Sequence, residues 1–224
     1  VVIDPRMATV DSDRHADKRF TQLPVLNTHK ASPEWLEQWD KYALRCGKSV
    51  NGLTGFSEAV IAREIAANLP DGSTLFVSSS RPIRDLEGFA APRSGVTTHA
   101  NRGLAGIDGN ISTALGIACA SKQTFAVLGD LSFLHDLTGL IHREEINCAF
   151  IVINNDGGGI FSTLPQRGVD GFESVFGTPH GLDPAAIAAA MGISASTISS
   201  VDELKKILKA PVKGVSITVA NVPS

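Results

Sequence analysis

The 224-residue sequence has few cysteines, no long apolar run and no excess of positive charge. Its three cysteines, Cys46, Cys119 and Cys148, lie far apart without CxxC spacing, so neither a disulfide framework nor a zinc site is predicted. The formal charge of −3 and the scattered basic residues argue against nucleic acid and anionic membranes as partners. Because no run of 18 apolar residues and no signal-peptide pattern occur, we expect a cytoplasmic protein without a membrane span.

The start of the chain differs from the remainder. It begins with "VVID", which resembles the end of a strand, and the residues up to about 30 are polar and show no sustained periodicity. We therefore expect residues 1–30 to be a linker or the remnant of an upstream domain. With 43% hydrophobic residues overall, residues 31–224 are long enough to bury one substantial core.

Helical and β-rich patterns alternate beyond residue 31. Ser32 and Pro33 predict the start of a helix in "SPEWLEQWDKYALRC", and "GFSEAVIAREIAANLP" predicts a second helix. The later helix-like segments are "GNISTALGIACAS", "FLHDLTGLIHREE", "DPAAIAAAMG" and "VDELKKILKA". Between them lie apolar runs at 73–79, 123–129, 148–154 and 215–220. This alternation predicts an α/β fold, in which helices cover both faces of a parallel sheet.

Polar residues follow two of these predicted strands. Asp130 comes directly after one strand, and Asn155 comes 25 positions later, after the next. Ligands of such sheets bind at the carboxyl ends of the strands. A carboxylate, an amide oxygen and the carbonyl of Gly157 would suit Mg²⁺, or equally Mn²⁺, holding a diphosphate. The alternative is that Asp130 is a helix N-cap and "NNDGGG" an ordinary turn.

Four longer strings extend this motif. They are "ANRGLAGIDGNISTALG" (100–116), "GDLSFLHDLTGL" (129–140), "NNDGGGIFSTLPQ" (154–166) and "FGTPHGLD" (176–183). Together they resemble thiamine-diphosphate enzymes, and among these the 2-succinyl-5-enolpyruvyl-6-hydroxy-3-cyclohexene-1-carboxylate synthase family of menaquinone biosynthesis. Leu131 departs from the usual Gly-Asp-Gly of thiamine enzymes. The resemblance implies that residues 31–224 are the carboxy-terminal, diphosphate-binding domain and residues 1–30 the remnant of a middle domain.

This resemblance implies a transferase that decarboxylates 2-oxoglutarate on thiamine diphosphate and adds the succinyl semialdehyde carbanion to isochorismate. It also implies a homodimer or homotetramer, in which a partner subunit's amino-terminal pyrimidine-binding domain supplies the catalytic glutamate. No catalytic residue is therefore assigned to this chain, and we expect it to be inactive alone. Two alternatives stay open: another thiamine-diphosphate decarboxylase or carboligase of the acetolactate synthase type, and a non-catalytic α/β module that binds a phosphorylated ligand.

The resemblance also implies a role for individual residues. Asp130, Asn155 and Gly157 match metal ligands, and Ile107 matches the apolar residue that holds the cofactor in its bent shape. The implied cofactor contacts are Ile107, Gly129, Asp130, Leu131, Ser132, Asn155, Gly157 and Ile160. The implied substrate contacts are Ser80, Arg84, Arg102, Ile160, Phe161 and Leu164. An arginine offers two parallel donors to a carboxylate, as both anionic substrates require. No role is assigned to His99 or His180.

Overall fold

The computed structural model describes residues 1–6, 16–25, 30–103, 106–141 and 145–223. The chain divides into two compact units, Val1–Ser49 and Val50–Ser224. In the first unit, strands β1 (Val2–Ile3) and β2 (Arg19–Phe20) pair in parallel. Helix α1 (Pro33–Asn51) begins in this unit. The domain boundary expected at residue 30 stays a prediction.

Helix α1 starts where the sequence predicts. The hydroxyl of Ser32 accepts a hydrogen bond from the N–H of Trp35 at 3.3 Å, which partners one of the amide groups left free at a helix start. Pro33 occupies the first helical position, where its missing N–H costs nothing.

The second unit alternates helices and strands, as predicted. Its elements are α2 (Glu58–Asn68), β3 (Thr74–Val77), α3 (Arg81–Phe89), β4 (Thr97–His99), α4 (Asn110–Ala118), β5 (Thr124–Gly129), α5 (Asp130–His135), β6 (Cys148–Asn154), α6 (Pro184–Ala190), β7 (Ser194–Ile198), α7 (Val201–Lys209) and β8 (Val215–Asn221). Strands β3 to β8 form one sheet in the order β4-β3-β5-β6-β8-β7, with every pairing parallel. The predicted fold class is confirmed.

The central strands are mostly apolar because both of their faces are covered. Successive side chains point to opposite faces, so Leu128 joins the core beneath α4 and α5, whereas Val127 joins the core beneath α2 and α7. Strand β6 divides in the same way, with Phe150 in the first core and Ile151 in the second. No helix within the described ranges is both long and apolar enough to cross a membrane.

One predicted helix is shorter than its pattern indicates. The string "FLHDLTGLIHREE" continues α5 only to His135, and a 3₁₀ turn at Leu137–Ile141 follows. Between them, the carboxylate of Asp136 accepts hydrogen bonds from the N–H groups of Ile111 and Ser112 at 2.7 and 3.1 Å. These N–H groups belong to the first turn of α4, so the Asp136 side chain partners the start of a neighbouring helix. Residues 142–144 of the string lie outside the described residues.

Candidate functional site

A cavity of about 250 Å³ lies at the carboxyl ends of β3, β5 and β6. This is the edge at which a parallel sheet of this type binds its ligands. The predicted site residues that line it are Ser80, Ile107, Gly129, Asp130, Leu131, Ser132, Asn155, Gly157, Ile160 and Phe161. The cavity is completed by Ser79, Arg81, Pro82, Gly158 and Gly159. The fold therefore gathers residues from four separate segments of the sequence.

Asp130 is buried at this edge, with 2% of its surface exposed. Its Oδ1 accepts a hydrogen bond from the N–H of Leu131 at 2.7 Å, and its Oδ2 accepts one from the N–H of Gly157 at 2.9 Å. Gly129 occupies the N-cap position of α5, so the alternative in which Asp130 is the N-cap is wrong. Gly157 meets Asp130 through its N–H, and the role of its carbonyl as a ligand stays a prediction.

Asn155 presents an unpaired oxygen at the same cavity. Its Nδ2 donates to Oε1 of Glu58 at 2.8 Å, whereas its Oδ1 is buried without a hydrogen-bond partner among the described residues. A buried carbonyl oxygen without a partner costs about 1–3 kcal/mol, which a bound cation would recover. A carboxylate and an amide oxygen are the hard ligands that Mg²⁺ takes. The side chains present therefore fit a divalent cation.

The chemistry of the donors limits the kind of metal site. Within the described parts of the chain, no group of three or more His, Cys, Asp or Glu side chains could hold a metal ion. A cation at Asp130 would therefore depend on amide and main-chain oxygens and on ligands from outside the protein. Mg²⁺ is commonly held in this way, by one or two carboxylates together with phosphate oxygens and water.

The three glycines after Asn155 are required by close packing. Gly157 has a φ of +134°, and a Cβ on it would overlap the carbonyl oxygen of Gly177. On Gly158 a Cβ would overlap the carbonyl oxygen of Phe176, and on Gly159 it would overlap Nδ2 of Asn155 itself. The string "NNDGGG" is thus more constrained than an ordinary turn, because main chain and the Asn155 side chain occupy the space of the missing side chains.

Comparison with known protein families shows which family the chain matches. The family described as "Thiamine pyrophosphate enzyme, C-terminal TPP binding domain" matches residues 85–222, more than half of the chain. The chain belongs to this family. Thiamine pyrophosphate is another name for thiamine diphosphate, so the family expected from the four sequence strings is confirmed.

Curated relatives agree with this assignment. The chain is 46% identical to the 2-succinyl-5-enolpyruvyl-6-hydroxy-3-cyclohexene-1-carboxylate synthase of Thermobifida fusca (strain YX), over 68% of this chain and 29% of the relative. It is 40% identical to the synthase of that name from Paenarthrobacter aurescens (strain TC1), over 96% of this chain and 41% of the relative. The resemblance to this synthase is thereby confirmed. The chain therefore spans well under half of the length of these relatives.

A solved structure supports the fold alone. Benzoylformate decarboxylase from Polynucleobacter necessarius superposes with a TM-score of 0.56 at 19% identity, covering 74% of this chain and 33% of that one.

A partly buried group of charged side chains begins at Glu58, which contacts Asn155. Nη2 of Arg81 lies 2.6 Å from Oε2 of Glu58, and its Nε donates to Oδ2 of Asp85 at 3.1 Å. Burial raises the pKa of Glu58 and that of Asp85, while the positive charge of Arg81 opposes both increases. Sequence reasoning missed Glu58 and Arg81, because no local pattern connects them with Asn155.

The two predicted substrate arginines lie beside the cavity and are exposed. Nη1 of Arg84 donates to the main-chain oxygen of Ser80 at 2.8 Å, and Nη1 of Arg102 donates to Oγ of Ser79 at 3.3 Å. Both acceptors line the cavity, although the arginines themselves do not. Ser80 has a φ of 74°, a conformation that costs a residue other than glycine about 1–3 kcal/mol and that is enriched at functional sites.

Leu164, predicted to form the apolar wall of the substrate site, is 39% exposed and is not among the lining residues. Ile160 and Phe161, predicted for the same wall, do line the cavity. The substrate role of all three residues stays a prediction.

The loop that carries Ile107 is held by a buried asparagine. Nδ2 of Asn110 donates to the carbonyl of Ile107 at 3.0 Å and to Oγ of Ser132 at 2.8 Å, and Asn110 has no exposed surface. Two predicted cofactor contacts, one in this loop and one in α5, are thus joined by a side chain for which the sequence predicts no role. Residues 104–105 of the loop lie outside the described residues.

His180, to which the sequence assigns no role, contacts Asp130. Its Nδ1 accepts a hydrogen bond from the N–H of Leu182 at 3.0 Å, so that the proton of the neutral ring lies on Nε2. This Nε2 is 3.3 Å from Oδ2 of Asp130 and donates to it. His99 is exposed on β4.

Proposed function

We propose that this domain binds thiamine diphosphate through Mg²⁺ or Mn²⁺, as part of an enzyme that decarboxylates 2-oxoglutarate and adds the remaining four-carbon unit to isochorismate. The observation that supports it most is the cavity in which the carboxylate of Asp130 and the unpaired Oδ1 of Asn155 lie together. The names of the curated relatives support the specific reaction.

Under this proposal, different residues of the chain would bind the metal and the cofactor. Asp130, Asn155 and the carbonyl of Gly157 would hold the cation, which takes its other ligands from the diphosphate and water. Ile107 and Ile160 line the cavity and provide apolar contacts for the rings. When bound, the cofactor supplies an electron sink for the loss of CO₂ and for the new carbon–carbon bond.

Arg84, Arg102 and Ser80 would bind the carboxylates of the substrates. A guanidinium gives two parallel hydrogen bonds to one carboxylate and so sets its orientation as well as neutralising its charge. Ile160, Phe161 and Leu164 would exclude water beside them. With less water, each remaining electrostatic contact is stronger.

Part of the active site belongs to another chain under this proposal. The complete enzyme would be a cytoplasmic homodimer or homotetramer, with its catalytic glutamate in the pyrimidine-binding domain of a partner subunit. We therefore propose that the 224-residue chain binds cofactor without turning over substrate. In the complete enzyme, decarboxylation of 2-oxoglutarate rather than pyruvate would separate the proposed reaction from an acetolactate synthase type.

Calorimetric titration of the chain with thiamine diphosphate tests the proposal, with and without Mg²⁺. We expect binding only with metal, weakened by at least about 100-fold in Asp130→Asn, because the variant removes the charged ligand while preserving shape. Asp202→Asn, at an exposed position on α7, is the matched control and should bind normally. Metal-independent binding, or equal binding by the Asp130 variant with its fold intact by circular dichroism, would contradict the proposal.

A further inference from the structure

The two ends of the Asn155 amide are chemically different. Only the oxygen can bind a cation, because the nitrogen carries two protons and no free electron pair. A site that uses this side chain must therefore keep the oxygen turned toward the cation. Rotation of the amide by half a turn would place two N–H donors there instead.

Glu58 holds the nitrogen end. Its Oε1 accepts from Nδ2 of Asn155 at 2.8 Å, across 97 positions of sequence. A carboxylate can only accept hydrogen bonds, so it favours the amide nitrogen and repels the amide oxygen. The same contact leaves Oδ1 of Asn155 buried and unpaired among the described residues, as a cation ligand would be.

Glu58 is itself fixed in place. Its other oxygen, Oε2, is 2.6 Å from Nη2 of Arg81, whose Nε is occupied by Asp85. The side chains of Glu58 and Arg81 are only 16% and 23% exposed, so the charged pair is largely shielded from water. Gly159 leaves the space that Nδ2 of Asn155 occupies, since a Cβ there would overlap it.

We propose that Glu58 is a positioning residue of the metal site, which fixes the amide of Asn155 with its oxygen toward the cation. This inference rests on the proposed function. The reverse orientation would bring the amide oxygen against the carboxylate and the amide protons against the metal, and both contacts are repulsive.

The test measures Mn²⁺ binding to the 224-residue chain in saturating thiamine diphosphate, with electron paramagnetic resonance as the readout. Glu58→Gln keeps the size of the side chain but can accept or donate, so it no longer selects one orientation of Asn155. We expect its Kd for Mn²⁺ to rise about 10–100-fold, the usual range for loss of a partner behind a metal ligand. An unchanged Kd would overturn the positioning role.

Glu64→Gln is the matched control. Glu64 lies on the same helix and is also paired, with Lys205 at 3.1 Å and Arg63 at 2.9 Å, but it does not line the cavity. Its variant should retain the Kd of the unmodified chain. An equal loss in both variants would mean that α2 acts only as structural support, and would contradict the proposal.

Repeating the Glu58 substitution in an Asn155 variant distinguishes loss of amide orientation from general disruption of the site. In Asn155→Asp both ends of the side chain are oxygens, so no orientation has to be selected, and Glu58 now faces a like charge. There, Glu58→Gln should leave Mn²⁺ affinity unchanged or improve it, whereas the same weakening as in the Asn155 background would overturn the inference. If the unmodified chain binds no Mn²⁺ with the cofactor, the proposed function fails too; if it binds, only the role of Glu58 is at stake.

Discussion

The two sides of the cavity hold their polar side chains differently. On the proposed metal side, Asp130 is buried and accepts hydrogen bonds from two main-chain amides, and Asn155 is held by Glu58. On the proposed substrate side, Arg84 and Arg102 are exposed and donate to the turn after β3.

This difference follows from the cost of burial. Hydrogen bonds within the fold hold the Asp130 carboxylate and the nitrogen end of the Asn155 amide away from water, so their positions are set before any ligand arrives. An exposed guanidinium keeps its hydration and its freedom until a carboxylate binds. We therefore expect the metal side to be preorganised in this chain and the substrate side to be ordered by its ligand.

The largest expected effect concerns the reactivity of Cys148, which measures how often the sheet beneath the metal side unfolds locally. Cys148 opens β6, the strand that leads to Asn155, and burial raises the pKa of its thiol to about 12. Since the thiolate is the reactive form, Cys148 should react with a disulfide reagent at pH 8 at least about 1,000-fold more slowly than an ordinary thiol. The reaction should accelerate as the pH rises, because more thiolate forms.

The measurement uses the folded Cys46→Ser variant and follows the thiol that the disulfide reagent releases as the cysteines react. Exposed Cys119 serves as the internal reference. Similar rates for Cys119 and Cys148 would show that the sheet opens readily, and that the metal side is not rigid.

The next effect concerns the packing of the turn beside Asp130. Gly157→Ala should lower the free energy of unfolding by about 3 kcal/mol, because its φ of +134° strains an alanine and the new Cβ overlaps the oxygen of Gly177. Urea denaturation measures the change. Gly116→Ala in α4, where a Cβ meets nothing within 4 Å, should instead raise it by about 0.5–1 kcal/mol. A Gly157 variant as stable as the unmodified chain would mean that this turn is not tightly packed.

The smallest expected effect concerns the proposed substrate side and is measured in the complete enzyme. Arg102→Lys and Arg84→Lys should each raise KM for the oxo acid about 10-fold, because lysine cannot give two parallel hydrogen bonds to a carboxylate. Cofactor affinity should be unchanged, and Arg45→Lys on α1 is the control. Loss of cofactor affinity in either variant would remove the distinction between the two sides.

The strands show where sequence patterns succeed. β3, β5, β6 and β8 were predicted because strands covered on both faces have continuous apolar runs. Strands β4 and β7 were not predicted. They form the two edges of the sheet, and their sequences, Thr97–His99 and Ser194–Ile198, are mostly exposed and lack such runs.

The sequence by itself determined the α/β fold, the sheet edge at which the cavity lies, and the presence of Asp130 and Asn155 in its lining. These features depend on local patterns, an apolar run followed by a polar turn, which one segment contains completely. Only the tertiary structure decided which way the Asn155 amide faces, that Glu58 holds it, and that Asn110 and His180 support neighbouring groups. Such contacts join residues up to 97 positions apart, and they arise from packing that no single segment encodes.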